Sequence, residues 1–225
     1  PEKTYDDYKN IFIKLGIKNI DKLDISKRED ALNDKNINLI KTTNLLFFTG
    51  GDQLRITSMI GGTPIYNVIK ELCSNGGVIA GTSAGAAAAS NNMIYQGSSS
   101  EALLKGEVKI TSGLGLIDDV VIDTHFVQRG RIGRLFQAVV GNPKVFGIGL
   151  GEDTGLLITN GRQMEAIGSG LVILVDGREV KDTNLTQVEL GQPISINHLV
   201  THVMSQYDKF DLNTHKMSIH SSQYV

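Results

Sequence analysis

The sequence predicts an α/β protein with a mostly parallel sheet flanked by helices, and three observations support this fold class. Continuous apolar runs of strand length, at 45–48, 77–80 and 120–122, alternate with stretches of helical periodicity. Each run ends in glycine or polar residues, as buried strands do when they enter a loop. A hairpin signal, Asn160-Gly161, occurs in the last third of the chain. We therefore expect antiparallel strands in the C-terminal third.

The composition indicates which binding partners and which cellular compartment to expect. The 225 residues carry a formal net charge of −2, so no general basic excess indicates a nucleic-acid partner. No apolar run is long enough to cross a membrane, and we expect no membrane contact. Cys73 is the single cysteine, which excludes an intrachain disulfide and is typical of a reducing compartment. We therefore expect a cytoplasmic protein with Cys73 buried on a helix.

The start of the chain predicts a helix rather than a strand. Apolar residues recur at helical spacing from Tyr5 to Leu15, and Gly16 is a suitable stop. Because an α/β domain usually opens with a strand, we expect 1–225 to be a single domain that lacks its N-terminal strand or strands. A sheet edge left open in this way suggests a homodimer. No repeat, low-complexity segment or linker divides the chain.

The next elements follow from periodicity and capping residues. Apolar and polar residues alternate over 17–25, which predicts a strand. Ser26, with Glu29 three residues later, is a capping box that begins a short helix. A second short helix is predicted at 35–43, and the apolar run at 45–48 predicts a buried strand that enters a glycine loop.

The later elements alternate until the antiparallel part begins. Two helices are predicted at 53–60 and 64–74, and Pro64 suits the first turn of the second helix. In chain order the remaining predictions are a strand at 77–80, a helix at 84–90, a loop at 96–100, a strand at 120–123, a helix at 130–140, and strands at 145–150, 155–160, 163–167 and 171–175.

The pentapeptide Gly81-Thr82-Ser83-Ala84-Gly85 stands between a predicted strand and a predicted helix. In this setting the pattern G-x-S-x-G is typical of a nucleophile elbow, a strained turn that exposes the serine at the carboxyl end of the sheet. Gly81 and Gly85 lack a Cβ, so the strand and the helix can approach closely. The Ala84 N–H can then face a developing oxyanion. We interpret Ser83 as a nucleophile.

Four buried strands end in polar residues, and in an open α/β sheet ligands bind outside the carboxyl ends of the strands. The four clusters are Asp52-Gln53, Ser83, Asp123 with His125, and Glu152-Asp153. A serine hydroxyl needs a base, and the base needs an acid that fixes its tautomer. His125 alone among the five histidines follows a buried strand, so we predict it to be the base. Spacing leaves the acid open among Glu152, Asp153, Asp123 and Glu101.

Three arginines, Arg129, Arg131 and Arg134, follow His125 at the start of a predicted helix. Cations at a helix N-terminus oppose the helix dipole, so this cluster indicates an anionic partner such as a carboxylate. His198 and His202 have a spacing that two metal ligands can use on a helix. Their apolar neighbours favour a strand, and no glutamate accompanies them. We therefore predict no metal site.

Four runs resemble one serine peptidase family, which contains the cyanophycinases and the aspartyl dipeptidases. They are Phe47 to Arg55, Gly77 to Ala86, Ile122 to Arg131 and Gly149 to Thr154. The resemblance implies a glutamine-amidotransferase-like (flavodoxin-like) fold and no metal or organic cofactor. As substrate it implies cyanophycin, a poly-aspartate whose side chains carry arginine. The activity it implies is that of a serine exopeptidase that releases β-aspartyl-arginine dipeptides through an acyl-enzyme.

The resemblance also assigns roles to particular residues. The triad would be Ser83, His125 and Glu152, which resolves the choice of acid. The Gly51 and Ala84 N–H groups would form the oxyanion hole. Substrate contacts would be made by Gln53, Asp123, Arg129, Arg131 and Arg134. Thr124 stands where cyanophycinases commonly have a glutamine, so one amide contact is missing.

Two other functions fit the same residues. An aspartyl dipeptidase of the same family would need a closed pocket, whereas an enzyme that degrades a polymer needs an open groove. A non-catalytic binder of aspartate-rich or arginine-rich peptides would keep the pocket without turnover. A glutamine amidotransferase is disfavoured because that chemistry uses a cysteine at the elbow, and the single cysteine is Cys73.

Overall fold

A computed structural model describes residues 2–221; Pro1 and 222–225 lie outside the described residues. Within this range six α-helices accompany the sheets. They are α1 (Glu2–Lys14), α2 (Asp34–Lys41), α3 (Gln53–Ile60), α4 (Pro64–Ser74), α5 (Ala84–Ala89) and α6 (Ile132–Gly141), and a 3-10 helix covers Arg28–Leu32. None of these helices combines the length and the apolar character needed to span a bilayer.

Capping side chains set the start of the two helices that precede the elbow. The Asp52 carboxylate accepts hydrogen bonds from the N–H groups of Leu54 and Arg55, at 2.8 and 3.2 Å, which fixes the start of α3. The Thr63 hydroxyl caps α4, and Pro64 occupies its first turn, where no backbone N–H is needed. Both helices have the bounds predicted from the sequence.

Fourteen strands form four sheets within residues 2–221. In chain order they are β1 (Leu45–Phe48), β2 (Val78–Gly81), β3 (Ser90–Gln96), β4 (Lys109–Ser112), β5 (Ile117–Thr124), β6 (Phe146–Leu150), β7 (Thr154–Thr159), β8 (Gln163–Gly168), β9 (Val172–Asp176), β10 (Asp182–Thr183), β11 (Ile196–Asn197), β12 (Val200–Met204), β13 (Lys209–Asp211) and β14 (Lys216–Ser218). The main sheet has six strands in the order β12-β9-β6-β5-β3-β4, and β1 and β2 form a separate parallel pair.

The main sheet is mixed, so the predicted mostly parallel sheet is confirmed only in part. Strands β3, β5 and β6 run parallel, whereas β4, β9 and β12 are antiparallel to their neighbours. Strand β9 was predicted within the antiparallel C-terminal group, but it lies between β6 and β12 in the main sheet. The reason is burial, because Val172, Leu174 and Val175 are all 0% exposed and need cover on both faces of the strand. The α/β class with flanking helices is confirmed.

The antiparallel character of the C-terminal third is also confirmed. Strands β7 and β8 pair across the predicted hairpin, with Thr159 opposite Gln163. Asn160 and Gly161 have φ values of 53° and 67°, the left-handed conformation that such a turn requires. Strands β13 and β14 extend this four-stranded sheet.

Segment 17–25 is irregular, which corrects the predicted strand. Its alternation arises from packing instead of strand pairing, since Leu23 and Ile25 pack against the buried cluster that includes Ile65 of α4. The Tyr5 hydroxyl donates a hydrogen bond to the Ile20 carbonyl at 3.3 Å and attaches the segment to α1. Local hydrophobic pattern alone could not distinguish these two arrangements.

The helix that follows is a 3-10 turn, and Asp30 rather than Glu29 caps it. The Asp30 carboxylate accepts hydrogen bonds from the N–H and the hydroxyl of Ser26, at 3.0 and 3.1 Å. Cys73, in the last turn of α4, is exposed instead of buried, whereas its neighbour Leu72 packs against the core. Strands β3 and β4 were not predicted.

Candidate active site

Ser83 lies in the turn between β2 and α5 with φ 52° and ψ −117°, a backbone conformation that residues other than glycine rarely adopt. Glycines on both sides make this turn sterically feasible. A Cβ on Gly81 would lie 2.6 Å from the carbonyl carbon of Gly85, and a Cβ on Gly85 would lie 2.4 Å from the Phe48 carbonyl oxygen. The strand, turn and helix can pack this closely because both positions are glycine.

Three side chains from three strand ends form a continuous hydrogen-bonded chain. The Ser83 Oγ lies 3.1 Å from Nε2 of His125, which directly follows β5. The His125 Nδ1 lies 3.1 Å from Oε1 of Glu152, which follows β6. With its proton on Nδ1, the imidazole donates to Glu152 and accepts from the Ser83 hydroxyl. This is the order of nucleophile, base and acid that acyl transfer to serine requires.

The other candidate acids have different partners. Asp123 lies against two arginine side chains, as described below. The backbone carbonyl of Asp153 accepts from the Ser169 N–H at 2.9 Å, in the loop that leads into β7. Glu101 lies in the loop between β3 and β4. Among the described residues, Glu152 is the carboxylate that hydrogen-bonds to His125.

Two backbone N–H groups near Ser83 in the sequence or the fold are the candidates for an oxyanion hole. Ala84 is the first residue of α5, so its N–H has no acceptor within that helix. Gly51 has a φ of 134°, a conformation that favours glycine, in the loop that follows β1. The Thr82 N–H donates to the Phe48 carbonyl at 3.0 Å and holds this loop beside the elbow. The arrangement can serve as an oxyanion hole.

A buried ion cluster lies at the end of β5. Asp123 and Arg134 are 4% and 6% exposed, and Arg134 Nε lies 3.2 Å from Asp123 Oδ2. Arg131 is partly exposed and donates from Nη1 to Asp123 Oδ1 at 3.2 Å. Burial raises the pKa of Asp123 although both arginines oppose this, and burial lowers the pKa of Arg134. Two guanidinium groups share one carboxylate, so the cluster carries an excess of positive charge.

Comparison with known proteins identifies the family. The model of peptidase family S51 matches residues 2–166. This chain belongs to peptidase family S51. The cyanophycinases of Synechococcus elongatus, Trichormus variabilis and Geminocystis herdmanii are 34%, 36% and 34% identical to it over 211, 206 and 212 residues. These matches cover 93%, 91% and 94% of this chain and 66%, 69% and 78% of the relatives. The S51 chain therefore spans about two thirds of the length of the first of these relatives.

A solved structure supports the fold. The crystal structure of a peptidase from an acI-B1 Actinobacterium matches 80% of the S51 chain and 68% of its own chain. The TM-score is 0.57 and the sequence identity is 24%. At this level of identity the match supports the α/β fold alone.

The remaining residues considered in the sequence analysis do not belong to the hydrogen-bonded chain of Ser83, His125 and Glu152, and each has contacts of its own. The Gln53 amide donates from Nε2 to the Ile94 carbonyl at 3.1 Å, which links α3 to β3. Arg129 is exposed, and its N–H donates to the His125 carbonyl at 3.0 Å. Thr124 is buried and its N–H donates to Asp123. His198, predicted not to be a metal ligand, lies 3.4 Å from Glu179.

An open groove begins next to the glycine loop. Its volume is about 710 Å³, and it lies between α3 and the edge strand β4, with Asp52, Arg55, Thr111 and Ser112 in its lining. Asp52, in the lining of the groove, directly follows Gly51 in the sequence. Its open form suits an extended chain.

Sequence reasoning missed one residue that organises the S51 site. The Gln128 Oε1 accepts a hydrogen bond from the Glu152 N–H at 3.2 Å and joins the loop after β5 to the loop after β6. Gln128 lies within the run Ile122 to Arg131, and no role is predicted for it from the sequence. Its partner is 24 residues away along the chain, so local spacing carried no signal for this contact.

Proposed function

We propose that this chain is a serine exopeptidase in which Ser83 is the nucleophile, His125 the general base and Glu152 the acid that orients it. The observation that carries the proposal is the continuous chain of contacts, 3.1 Å from Ser83 to His125 and 3.1 Å from His125 to Glu152. Strained backbone at a reactive serine supports the same role.

The reaction follows from these positions. Ser83 Oγ attacks the scissile carbonyl carbon and its proton passes to His125 Nε2. The carbonyl oxygen becomes an oxyanion that accepts hydrogen bonds from the Gly51 and Ala84 N–H groups. The carbon–nitrogen bond then breaks, and His125 Nε2 gives its proton to the leaving amine. Water, deprotonated by His125, hydrolyses the acyl-enzyme and restores Ser83. No step in this sequence draws on a metal or an organic cofactor.

The substrate we propose is cyanophycin, cut to β-aspartyl-arginine dipeptides. Cyanophycinase is the name of the similar curated proteins. The positive excess at Arg131 and Arg134, with the exposed Arg129 nearby in sequence, suits the carboxylates of an aspartate polymer. The amide of Gln53 is the proposed contact for the arginyl part, whereas Asp123 is 4% exposed and already paired with Arg131 and Arg134. The open groove beside Gly51 favours a polymer over a free dipeptide.

The deciding experiment measures dipeptide release from purified cyanophycin by the wild type and by Ser83→Ala. We expect β-aspartyl-arginine from the wild type and at least about a 10³-fold lower rate from the variant. Release by both proteins would refute Ser83 as the nucleophile. If folded wild type releases nothing from cyanophycin but cleaves short aspartyl peptides, the chain is an aspartyl dipeptidase instead. If it binds cyanophycin and cleaves neither substrate, it is a binder.

The proposal also covers the fold, the oligomeric state and the cellular location. The parallel strands β3, β5 and β6, together with helix α5 after β2 and helix α6 after β5, support a glutamine-amidotransferase-like arrangement in a single domain. Exposed apolar side chains on α1 and directly after it, Ile11, Ile13 and Leu15, support a homodimer, which sedimentation at several concentrations would test. A cytoplasmic location is proposed from the single cysteine, and fractionation of the source cells would test it.

A further inference from the structure

The ion cluster of Asp123, Arg131 and Arg134 has a direct connection to the backbone beside His125. Arg131 Nη1 donates to the Thr124 carbonyl oxygen at 2.7 Å, and this carbonyl belongs to the peptide bond between Thr124 and His125. The same Nη1 donates to Asp123 Oδ1, which also accepts from the Thr124 N–H at 3.1 Å. Both backbone groups of Thr124 are therefore held by the cluster.

The backbone of His125 needs such support. Its φ is 53°, in the left-handed region that favours glycine. A residue keeps a strained conformation only where the surrounding structure imposes it. If the peptide group before His125 were free to rotate, the imidazole would lose its direction toward Ser83 and Glu152. The Arg131 contact restrains this peptide group.

The inner members of the cluster are buried against the protein instead of facing an open site. The Asp123 Oδ2 and Arg134 Nε atoms are buried and lie 3.2 Å apart, and neither makes a hydrogen bond within the described residues. Arg134 also donates from Nη1 to the Gly97 carbonyl at 3.2 Å, so it joins β5 to the loop after β3. A buried charge left without its partner disturbs the structure around it.

We propose that Asp123 and Arg134, acting through Arg131, are positioning residues that hold the peptide group before His125 and so aim its imidazole at Ser83. This inference rests on the proposed function and assigns Asp123 and Arg134 to the support of the base instead of to direct contact with the substrate. Arg131 and the exposed Arg129 then remain to meet the anionic groups of the substrate.

A test must separate positioning from substrate contact. A small fluorophosphonate probe reacts with an activated serine and carries neither aspartyl nor arginyl groups, so its labelling rate reports the state of the base alone. The test variant is Asp123→Asn. The matched control is Asp119→Asn, because Asp119 lies on the same strand and also pairs with two cations, Lys144 and Arg162.

We expect Asp123→Asn to be labelled about 100-fold more slowly than the wild type, since a misplacement of about 1 Å has an effect of this order. Asp119→Asn should be labelled at the wild-type rate. Labelling of folded Asp123→Asn at the wild-type rate would overturn the proposal. If Asp123→Asn does not fold, Arg131→Met keeps the Asp123–Arg134 pair and removes the contact to the Thr124 carbonyl. Slow labelling of that variant supports the proposal, and wild-type labelling overturns it.

A second readout is independent of activity. The Nδ1 proton of His125, which faces Glu152, should give a downfield proton resonance in the full chain, identified by its loss in His125→Ala. Asp123→Asn should shift or broaden it and Asp119→Asn should not; an unchanged resonance in Asp123→Asn would overturn the proposal. If the probe fails to label even the wild type, the proposed function is wrong, and this resonance alone decides whether the cluster positions His125.

Discussion

The ring of Phe126 occupies the space that a side chain on Gly149 would need. A Cβ on Gly149 would lie 2.4 Å from Cδ1 of the ring. Phe126 is 0% exposed, and its N–H donates to the Leu150 carbonyl at 3.0 Å, so the residue after His125 is fixed by packing and by a hydrogen bond. The glycine on β6 thus helps to fix the position of the candidate base directly after β5.

Gly149→Ala should therefore reduce both stability and activity. The added methyl group must displace the Phe126 ring, and overpacking of this kind lowers the free energy of unfolding by about 1–3 kcal/mol. The displaced ring should also move His125 and reduce turnover. Chemical denaturation and dipeptide release measure the two effects. The control is Gly141→Ala, where a Cβ would have no heavy atom within 4 Å. Equal effects of the two substitutions would contradict the packing argument.

Glu152→Gln should preserve the shape of the triad and remove its charge. The amide can still lie 3.1 Å from His125 Nδ1, but it stabilises the imidazolium poorly and can hold the wrong tautomer. We expect kcat to fall by about 10³–10⁴-fold with little change in KM. Steady-state kinetics on cyanophycin measure this. Asp153→Asn, at the neighbouring carboxylate, should change kcat little, and a comparable loss there would reopen the choice of acid.

Arg129→Gln should weaken substrate binding without slowing the chemical step. Arg129 is exposed, so its guanidinium can meet a substrate carboxylate, and a charge-assisted hydrogen bond contributes about 1.5–3 kcal/mol. We expect KM to rise by about tenfold or more, with kcat within about twofold of the wild type. The dependence of KM on salt should become weaker. Lys18→Gln, at another exposed cation, is the control. A fall in kcat with KM unchanged would place Arg129 in the support of His125.

The elements around the site could be predicted because each has a local signal. The helices α3 and α4 follow from capping residues and from Pro64, and the short strands β1 and β2 before the elbow follow from apolar runs, although only Phe48 of these strands is buried. The pattern G-x-S-x-G identifies Ser83 as a candidate nucleophile from the sequence alone. Such signals depend only on neighbouring residues in the sequence, so they can be recognised without knowledge of the fold.

The parts that could not be predicted depend on distant contacts. Segment 17–25 alternates like a strand, but Leu23 and Ile25 pack on a core cluster and form no ladder. The pairing of β9 with β6 depends on burial on both faces, which the hairpin signals before it do not encode. The resemblance predicts that Asp123 contacts the substrate. Its contact with Arg134, 11 residues further along the chain, is a tertiary contact that sequence spacing does not reveal.

Asp208 should make the stability of the C-terminal part depend on acid pH. Burial opposes its ionisation, but hydrogen bonds from the His220 N–H at 2.6 Å and from the N–H and hydroxyl of Ser205 at 2.8 and 3.1 Å outweigh this. They lower the pKa of Asp208 below its ordinary value of 3.8. The stabilisation is therefore fully present above the unfolded pKa and is lost as pH falls through the lower folded pKa.

Asp208→Asn should lower the free energy of unfolding by about 1–3 kcal/mol at pH 7, because an amide N–H would replace one acceptor of these bonds. The difference from the wild type should shrink as pH falls below 3.8, the ordinary pKa of the carboxyl group. Urea denaturation at pH 7 and at several values below 3.8 measures this dependence. Asp21→Asn, at an exposed carboxylate, is the control and should change stability little at every pH. A difference for Asp208→Asn that stays constant across this range would show that its carboxylate charge does not stabilise the fold.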